Sequence, residues 1–211
     1  MKLKYLKQVD STQTYIKNYL LNNKDENNIC FYTYEQTSGL GSQNNTWEGQ
    51  KGNLFFSFCV PIDKLPNDLP LQSASIYFSY ILKNVLSNNK SKVFLKWPND
   101  FYINNNKIGG VITNKNKNLL ICGIGLNIEK TNNFDGYLDI PIGKEELLKQ
   151  YFYDLEYYLP WKQIFSKFKL EFHHNKSYFT NINNKKVSLK DVSLNDDGSL
   201  SINEKKVYSL R

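Results

Sequence analysis

The chain has 211 residues, 40% hydrophobic and 22% charged, with no apolar run near the roughly 20 residues of a bilayer span; this excludes disordered and membrane classes and fits one ordinary domain with a small appendage. A formal net charge of +7 raises nucleic acid as a partner, but the lysines are scattered among asparagines, as in Asn114-Lys115-Asn116-Lys117-Asn118, which reads as a solvated basic surface. Met1-Lys2-Leu3-Lys4-Tyr5-Leu6 lacks the apolar segment and cleavage site of a secretory signal, and Cys30, Cys59 and Cys122 sit in apolar runs as reduced core residues, so a cytoplasmic setting without zinc or disulfides is expected.

In chain order, Asp10-Ser11-Thr12 supplies a helix N-cap, and Tyr15, Ile16, Tyr19 and Leu20 follow at helical spacing. Residues 29–37 are aromatic and β-branched and predict a strand, followed by a polar glycine loop over residues 38–45. Residues 53–60 read as a buried strand, and Ala74, Phe78, Ile81, Leu82 and Val85 mark one face of an amphipathic helix. Strands are expected at 93–97, at 101–103 with 107–113 across an asparagine turn, and at 119–128. Helical spacing returns at Leu148, Tyr151, Leu155, Tyr158 and Leu159, then at Ile164, Phe165, Phe168 and Phe172. Beyond His173-His174 come short pieces at 186–189, 192–194 and 200–202, with Asp196-Asp197-Gly198 as a hairpin turn. The organisation expected is an α/β catalytic domain over residues 1–172 and a compact β module over 173–211.

Three segments carry candidate chemistry. Gly39 and Gly41 let a loop wrap a small ligand with backbone amides, although Asn44 stands where the third glycine of a dinucleotide fingerprint belongs and no phosphate loop of the G-x-x-x-x-G-K-[ST] type occurs. In Val93-Phe94-Leu95-Lys96-Trp97-Pro98-Asn99-Asp100, strand alternation puts Phe94 and Lys96 on one face, and Pro98 ends the strand so that Asn99 and Asp100 stand at its mouth. A half-buried Lys96 either reaches water or meets an anion, and this segment alone leaves both open. Gly123-Ile124-Gly125-Leu126-Asn127 leaves room for a flat group against a strand, or simply packs closely.

Together these segments resemble the biotin protein ligase family. Asp10-Ser11-Thr12 is similar to its opening motif; Gln36-Thr37-Ser38-Gly39-Leu40-Gly41 through Trp47, with Gly52-Asn53-Leu54, to its biotin loop and next strand; Lys96-Trp97-Pro98-Asn99-Asp100 with Lys107-Ile108-Gly109-Gly110-Val111-Ile112 to its most specific block; and Gly123-Ile124-Gly125-Leu126-Asn127 to its last. The end, Asp197-Gly198-Ser199-Leu200 through Tyr208-Ser209-Leu210-Arg211, resembles the family's terminal barrel. Two departures stand out: the family loop usually carries arginines where this chain has Leu40, Ser42, Gln43 and Asn45, and too little chain precedes Asp10 for the DNA-binding helix-turn-helix of the family's repressors. A lipoate protein ligase, of related fold, is a second reading, but its Arg-Arg-x-x-Gly-Gly-Gly block is missing. A basic nucleic-acid-binding module is a third.

The resemblance implies an α/β (α+β) fold: a class II synthetase-like mixed sheet with flanking helices and a C-terminal SH3-like β-barrel. It implies activation of biotin by MgATP to biotinyl-5′-adenylate and transfer to a lysine of a biotin carboxyl carrier protein, with no specific DNA partner. In that scheme Ser11, Thr12 and Gln36 bond the ureido ring, Gly39, Leu40 and Gly41 wrap biotin, and Trp47 walls its slot. Lys96 bridges the biotin carboxylate and the α-phosphate, while Ser42, Gln43, Asn99 and Lys107 face the nucleotide. Gly110, Gly123 and Gly125 leave room for biotin and adenylate, Asn127 helps hold the magnesium-bound nucleotide, and Asp100 orients or deprotonates the incoming lysine. The polar residues 129–136 would order over the adenine.

Overall fold

The structure, a computed structural model, describes residues 1–23, 26–42, 45–130, 136–182 and 185–208. Its centre is a seven-stranded sheet built from β1 (Lys2–Tyr5), β2 (Ile29–Thr33), β5 (Leu54–Pro61), β6 (Phe94–Lys96), β7 (Asp100–Ile103), β8 (Asn106–Asn116) and β9 (Leu119–Leu126). The spatial order is β1-β2-β5-β9-β8-β7-β6. Only β1 and β2 run parallel; the remaining pairs are antiparallel, so the sheet is mixed as expected. Helices lie on both faces, which is why β2, β5 and β9 read as continuous apolar runs rather than as alternating ones.

Alternation still sorts the two faces. Phe31, Cys59 and Ile121 point to one side, where α1 (Thr12–Asn22) lays down Ile16 and Leu20. Cys30, Phe56, Phe58, Cys122 and Ile124 point to the other, into the main core with α2 (Ala74–Asn88), α3 (Lys144–Leu155) and α4 (Trp161–Glu171). The amphipathic face expected for α2 is an underestimate, since twelve of its residues are buried. Its polar groups are satisfied sideways: the Tyr80 hydroxyl and the Lys83 ammonium both donate to Glu171 Oε1, at 2.8 and 2.6 Å. No helix among the described residues is long and apolar enough to cross a membrane.

Two expectations are corrected near the glycine loop. The strand predicted over 29–37 breaks after Thr33, because its hydroxyl donates to the Glu35 carbonyl at 3.0 Å and accepts from the Glu35 amide at 3.1 Å, which bends the chain. A separate hairpin follows, β3 (Gln36–Leu40) with β4 (Thr46–Gly49), so Gly39 lies in a strand rather than in a loop. β3 leans on the start of α1, where the Ser38 amide donates to the Asp10 carbonyl at 2.8 Å.

After α4 the chain forms a 3-10 turn, Phe172–Ser177, and a strand-rich end: β10 (Phe179–Ile182) with β11 (Lys185–Ser188), and β12 (Ser193–Leu194), β13 (Leu200–Ile202) and β14 (Lys205–Val207) as a three-stranded sheet. Leu189, Val192 and Leu200 join the main core. The turn at Asp196-Asp197-Gly198 is docked rather than free, with the indole Nε1 of Trp97 donating to the Gly198 carbonyl and that of Trp161 to the Asp196 carbonyl, both at 2.9 Å.

Candidate functional site

The first wall of a cleft forms where α1 begins. Ser11 caps the helix, its hydroxyl accepting from the Thr14 amide at 3.3 Å, while its own amide donates to Asp10 Oδ1 at 2.7 Å. This turns the first residues of the helix toward β3 and β5. The amide and hydroxyl of Thr12 both reach Gln36 Oε1, at 2.9 and 3.2 Å, and the same hydroxyl lies 2.9 Å from Ser57 Oγ. Ser11, Thr12, Gln36 and Ser57 are all buried.

The floor is the middle of β8 and β9, where Gly110 pairs with Gly125 and Ile112 with Gly123. Protein atoms enter the room that these glycines leave over the strands. A Cβ on Gly123 would lie 2.5 Å from Gln13 Oε1, and one on Gly125 would lie 2.9 Å from the Trp47 indole, which also approaches Gly110. Leu40, Gly41 and Ser42 also line the cleft, as do Asn99, Asp100 and Lys107. The empty space, open side included, is about 620 Å³.

Charge gathers at one end. Asp100 Oδ1 lies 2.6 Å from the Lys107 ammonium and its Oδ2 lies 3.3 Å from that of Lys96, while Lys107 also sits 5.2 Å from the centre of the Trp47 ring. Burial pushes the Asp100 carboxyl up, but the ammonium groups of Lys107 and Lys96 outweigh it and hold the group below the ordinary carboxylate value. Three of the buried polar side-chain atoms without a partner among the described residues belong to this one cleft: Gln13 Oε1, Trp47 Nε1 and Asn99 Oδ1.

Of the residues singled out from the sequence, the structure brings Ser11, Thr12, Gln36, Leu40, Gly41, Ser42, Trp47, Asn99, Asp100, Lys107, Gly110, Gly123 and Gly125 to the cleft. Three stand apart. Gly39 does not line it: the Gln36 side chain and the Trp47 carbonyl cross within 2.5 Å of where its Cβ would be, so its glycine serves close packing. Lys96 is drawn beside the cleft rather than into it, because a nearly buried ammonium takes the nearest carboxylate, that of Asp100. Asn127 does not line the cleft: its amide donates to the Ile108 carbonyl at 2.7 Å and its Nδ2 to the Gly136 carbonyl at 3.2 Å, while its buried Oδ1 has no partner among the described residues. Gln43, and residues 131–135 of the segment expected to cover adenine, lie outside the described residues.

Gln13 and Ser57 were not singled out from the sequence, yet both line the cleft. Each left a signal. Gln13 shares the buried helix face of Ile16 and Leu20, and Ser57 interrupts a wholly apolar strand, where a polar side chain needs a reason.

Fold and cleft define a mixed α/β domain built to bind a small polar molecule next to paired lysines. The chain belongs to the biotin/lipoate A/B protein ligase family, whose model matches residues 5–128. Among its relatives, biotin--protein ligase 2 of Arabidopsis thaliana is 35% identical over 105 residues, covering 44% of this chain and 31% of the relative. The bifunctional ligase/repressor BirA of Bacillus subtilis is 26% identical over 124 residues, covering 54% and 37%. The chain thus spans only about a third of the length of these curated relatives. Among solved structures, the biotin acetyl coenzyme A carboxylase synthetase of Helicobacter pylori, with bound biotinylated ATP, superposes with a TM-score of 0.94 at 36% identity, covering 98% of this chain and 99% of that one. The biotin protein ligase of Aquifex aeolicus, in complex with biotin and ATP, gives 0.77 at 24% identity and supports the fold.

Proposed function

We propose that the protein activates biotin with ATP and passes the biotinyl group to a lysine on a biotin carboxyl carrier protein. One observation carries the reading: buried polar atoms without a partner among the described residues, Gln13 Oε1, Trp47 Nε1 and Asn99 Oδ1, belong to side chains lining a glycine-floored cleft that Lys107 borders, with Lys96 beside it on the other oxygen of Asp100. Buried polar atoms without partners are costly, so a ligand that supplies the missing donors and acceptors is rewarded. The ureido ring of biotin offers two N–H donors and one carbonyl acceptor. The Gln13 carbonyl oxygen suits the donors, and the hydroxyls of Thr12 and Ser57 suit the carbonyl. The relatives' bound ligands, biotin with ATP and biotinylated ATP, support the same reading.

In the first step a biotin carboxylate oxygen bonds to the α-phosphorus of ATP and pyrophosphate leaves. Two anions must approach each other, and Lys96 and Lys107, held on either oxygen of Asp100, are the cations that offset their repulsion. In the second step the neutral amine nitrogen of the carrier lysine attacks the acyl carbon, AMP leaves, and the proton of the amine is lost to solvent. Asp100 suits orientation of that amine better than its deprotonation, because a carboxylate held below its ordinary value is a weak base at neutral pH.

Magnesium enters this reading as part of MgATP, where it neutralises phosphate charge. The described residues contain no cluster of three His, Cys, Asp or Glu side chains, and the Asp100 carboxylate is already engaged by two ammonium groups. The free Oδ1 of Asn127 is the side-chain atom that fits a metal-bound nucleotide.

The test is ATP–pyrophosphate exchange with biotin or lipoate as the acid, followed by transfer to a carrier domain. Exchange with biotin only is expected. Exchange with lipoate instead, or with neither acid, overturns the proposal.

A further inference from the structure

Lys96 occupies β6, one of the two edge strands of the sheet, paired on one side only through its register with Asp100 on β7. An edge strand leaves a carbonyl at one residue and an amide two residues on, both facing outward. Here those groups are the Leu95 carbonyl and the Trp97 amide, directly on either side of Lys96. Neither is left open. Asn175, in the 3-10 turn after α4, accepts from the Trp97 amide through Oδ1 at 2.6 Å and donates from Nδ2 to the Leu95 carbonyl at 3.1 Å. Its carboxamide thus stands in for the peptide group of a missing neighbouring strand. Asn175 is fully buried, and its own carbonyl accepts from the Tyr178 amide at 2.9 Å.

We propose that Asn175 is a positioning residue: by closing both backbone bonds that flank Lys96, it fixes the end of β6 and therefore the place of the Lys96 ammonium. This rests on the reading of Lys96 given under the proposed function. The strand-rich end of the chain reinforces the clamp through the Trp97 indole, which donates to the Gly198 carbonyl at 2.9 Å. Lys96 is thereby set by residues far downstream, 78 positions from Trp97 for Asn175 and 101 for Gly198. Asn175 lines no part of the cleft, so it acts on geometry rather than on binding.

Replacing Asn175 by alanine leaves a buried amide and carbonyl unpaired and frees the strand end to shift. A misplacement near 1 Å can lower a rate by about a hundredfold, so kcat for biotin-dependent ATP–pyrophosphate exchange should fall about ten- to a hundredfold. KM for biotin should stay within about twofold, because the wall of Thr12, Gln36 and Ser57 is untouched. The decisive comparison is Asn175→Ala placed in a Lys96→Met background. A residue acting through Lys96 adds no further loss there, whereas a merely structural one lowers the rate by the same factor again. Equal factors in both backgrounds, or a raised KM at unchanged kcat, overturn the proposal. Amide hydrogen exchange on the wild-type protein gives a readout that needs no variant: the Trp97 amide should exchange as slowly as those of β7 and β8, and exchange as fast as in an exposed loop refutes the clamp. A wild-type protein with no biotin-dependent exchange sinks the functional reading, while amide exchange still decides whether the clamp exists.

Discussion

Asp100→Asn is the perturbation that best separates charge from packing at the cleft. The carboxylate sits 3.3 Å from the ammonium of Lys96, whose side chain is 11% exposed, and 2.6 Å from that of Lys107, which is 40% exposed. Removing one partner of a buried pair costs roughly 3–5 kcal/mol, because the other charge loses a counter-ion, whereas an exposed pair contributes about 0–1 kcal/mol. The more buried Lys96 contact therefore carries most of the stability cost, although the closer Lys107 does more to lower the carboxyl value. Because asparagine keeps an acceptor, the loss should lie near the lower end, about 3 kcal/mol. For a chain of this size each kcal/mol moves Tm by about 2–4 °C, so the midpoint at pH 7 should fall by about 6–12 °C. The pH dependence follows from the lowered carboxyl value in the folded state. Such a group contributes stability that is fully present above its unfolded value, about 3.9, and is lost as pH falls through the folded value. The gap between wild type and variant should hold from pH 7 to about 5 and close below about 4. Thermal unfolding followed by circular dichroism across that range provides the assay. Equal midpoints at pH 7, or a gap that ignores pH, would show that Asp100 is not the counter-ion of buried lysine.

Lys96→Met should keep the fold and lower adenylate formation by on the order of a hundredfold, as loss of a charge contact in the transition state does, and a wild-type rate of pyrophosphate exchange would refute the role. Gly125→Ala puts a methyl 2.9 Å from the Trp47 indole, which must move aside; weaker biotin binding by titration and altered tryptophan fluorescence are expected, and unchanged values of both would show that Trp47 does not wall the slot. The loop holds no arginine, and the single arginine of the chain is Arg211, so the loop offers phosphate single bonds from neutral groups where an arginine would add a full charge and a bidentate fork. Ser42→Arg with Gln43→Arg should therefore slow adenylate release in rapid filtration, and an unchanged release rate would mean that another group retains the intermediate.

Much of the fold was legible because period and composition are local. The spacing of Ile16 and Leu20, the apolar runs of β5 and β9, and the turn at Asp196-Asp197-Gly198 each follow from neighbours in sequence. The order of motifs also placed Thr12, Gln36, Asp100 and Gly125 around one ligand, and the cleft gathers them. Other features depend on residues far apart in the chain. β1 lay unrecognised in a basic amino terminus, since pairing with β2 and not its own pattern makes it a strand. Gly39 reads like a ligand-wrapping glycine until the Gln36 side chain is found crossing it. Lys96 reads as an anion-binding cation, yet whether its charge meets a ligand or Asp100 depends on the β6–β7 register. Gln13 and Asn175 carry no motif; each matters through what stands opposite, a floor glycine for one and the open edge of β6 for the other. Hydrophobic period is set by burial along one element and survives in a linear chain, whereas the pairing of buried polar and charged groups is set by distance across elements and exists only once they have packed.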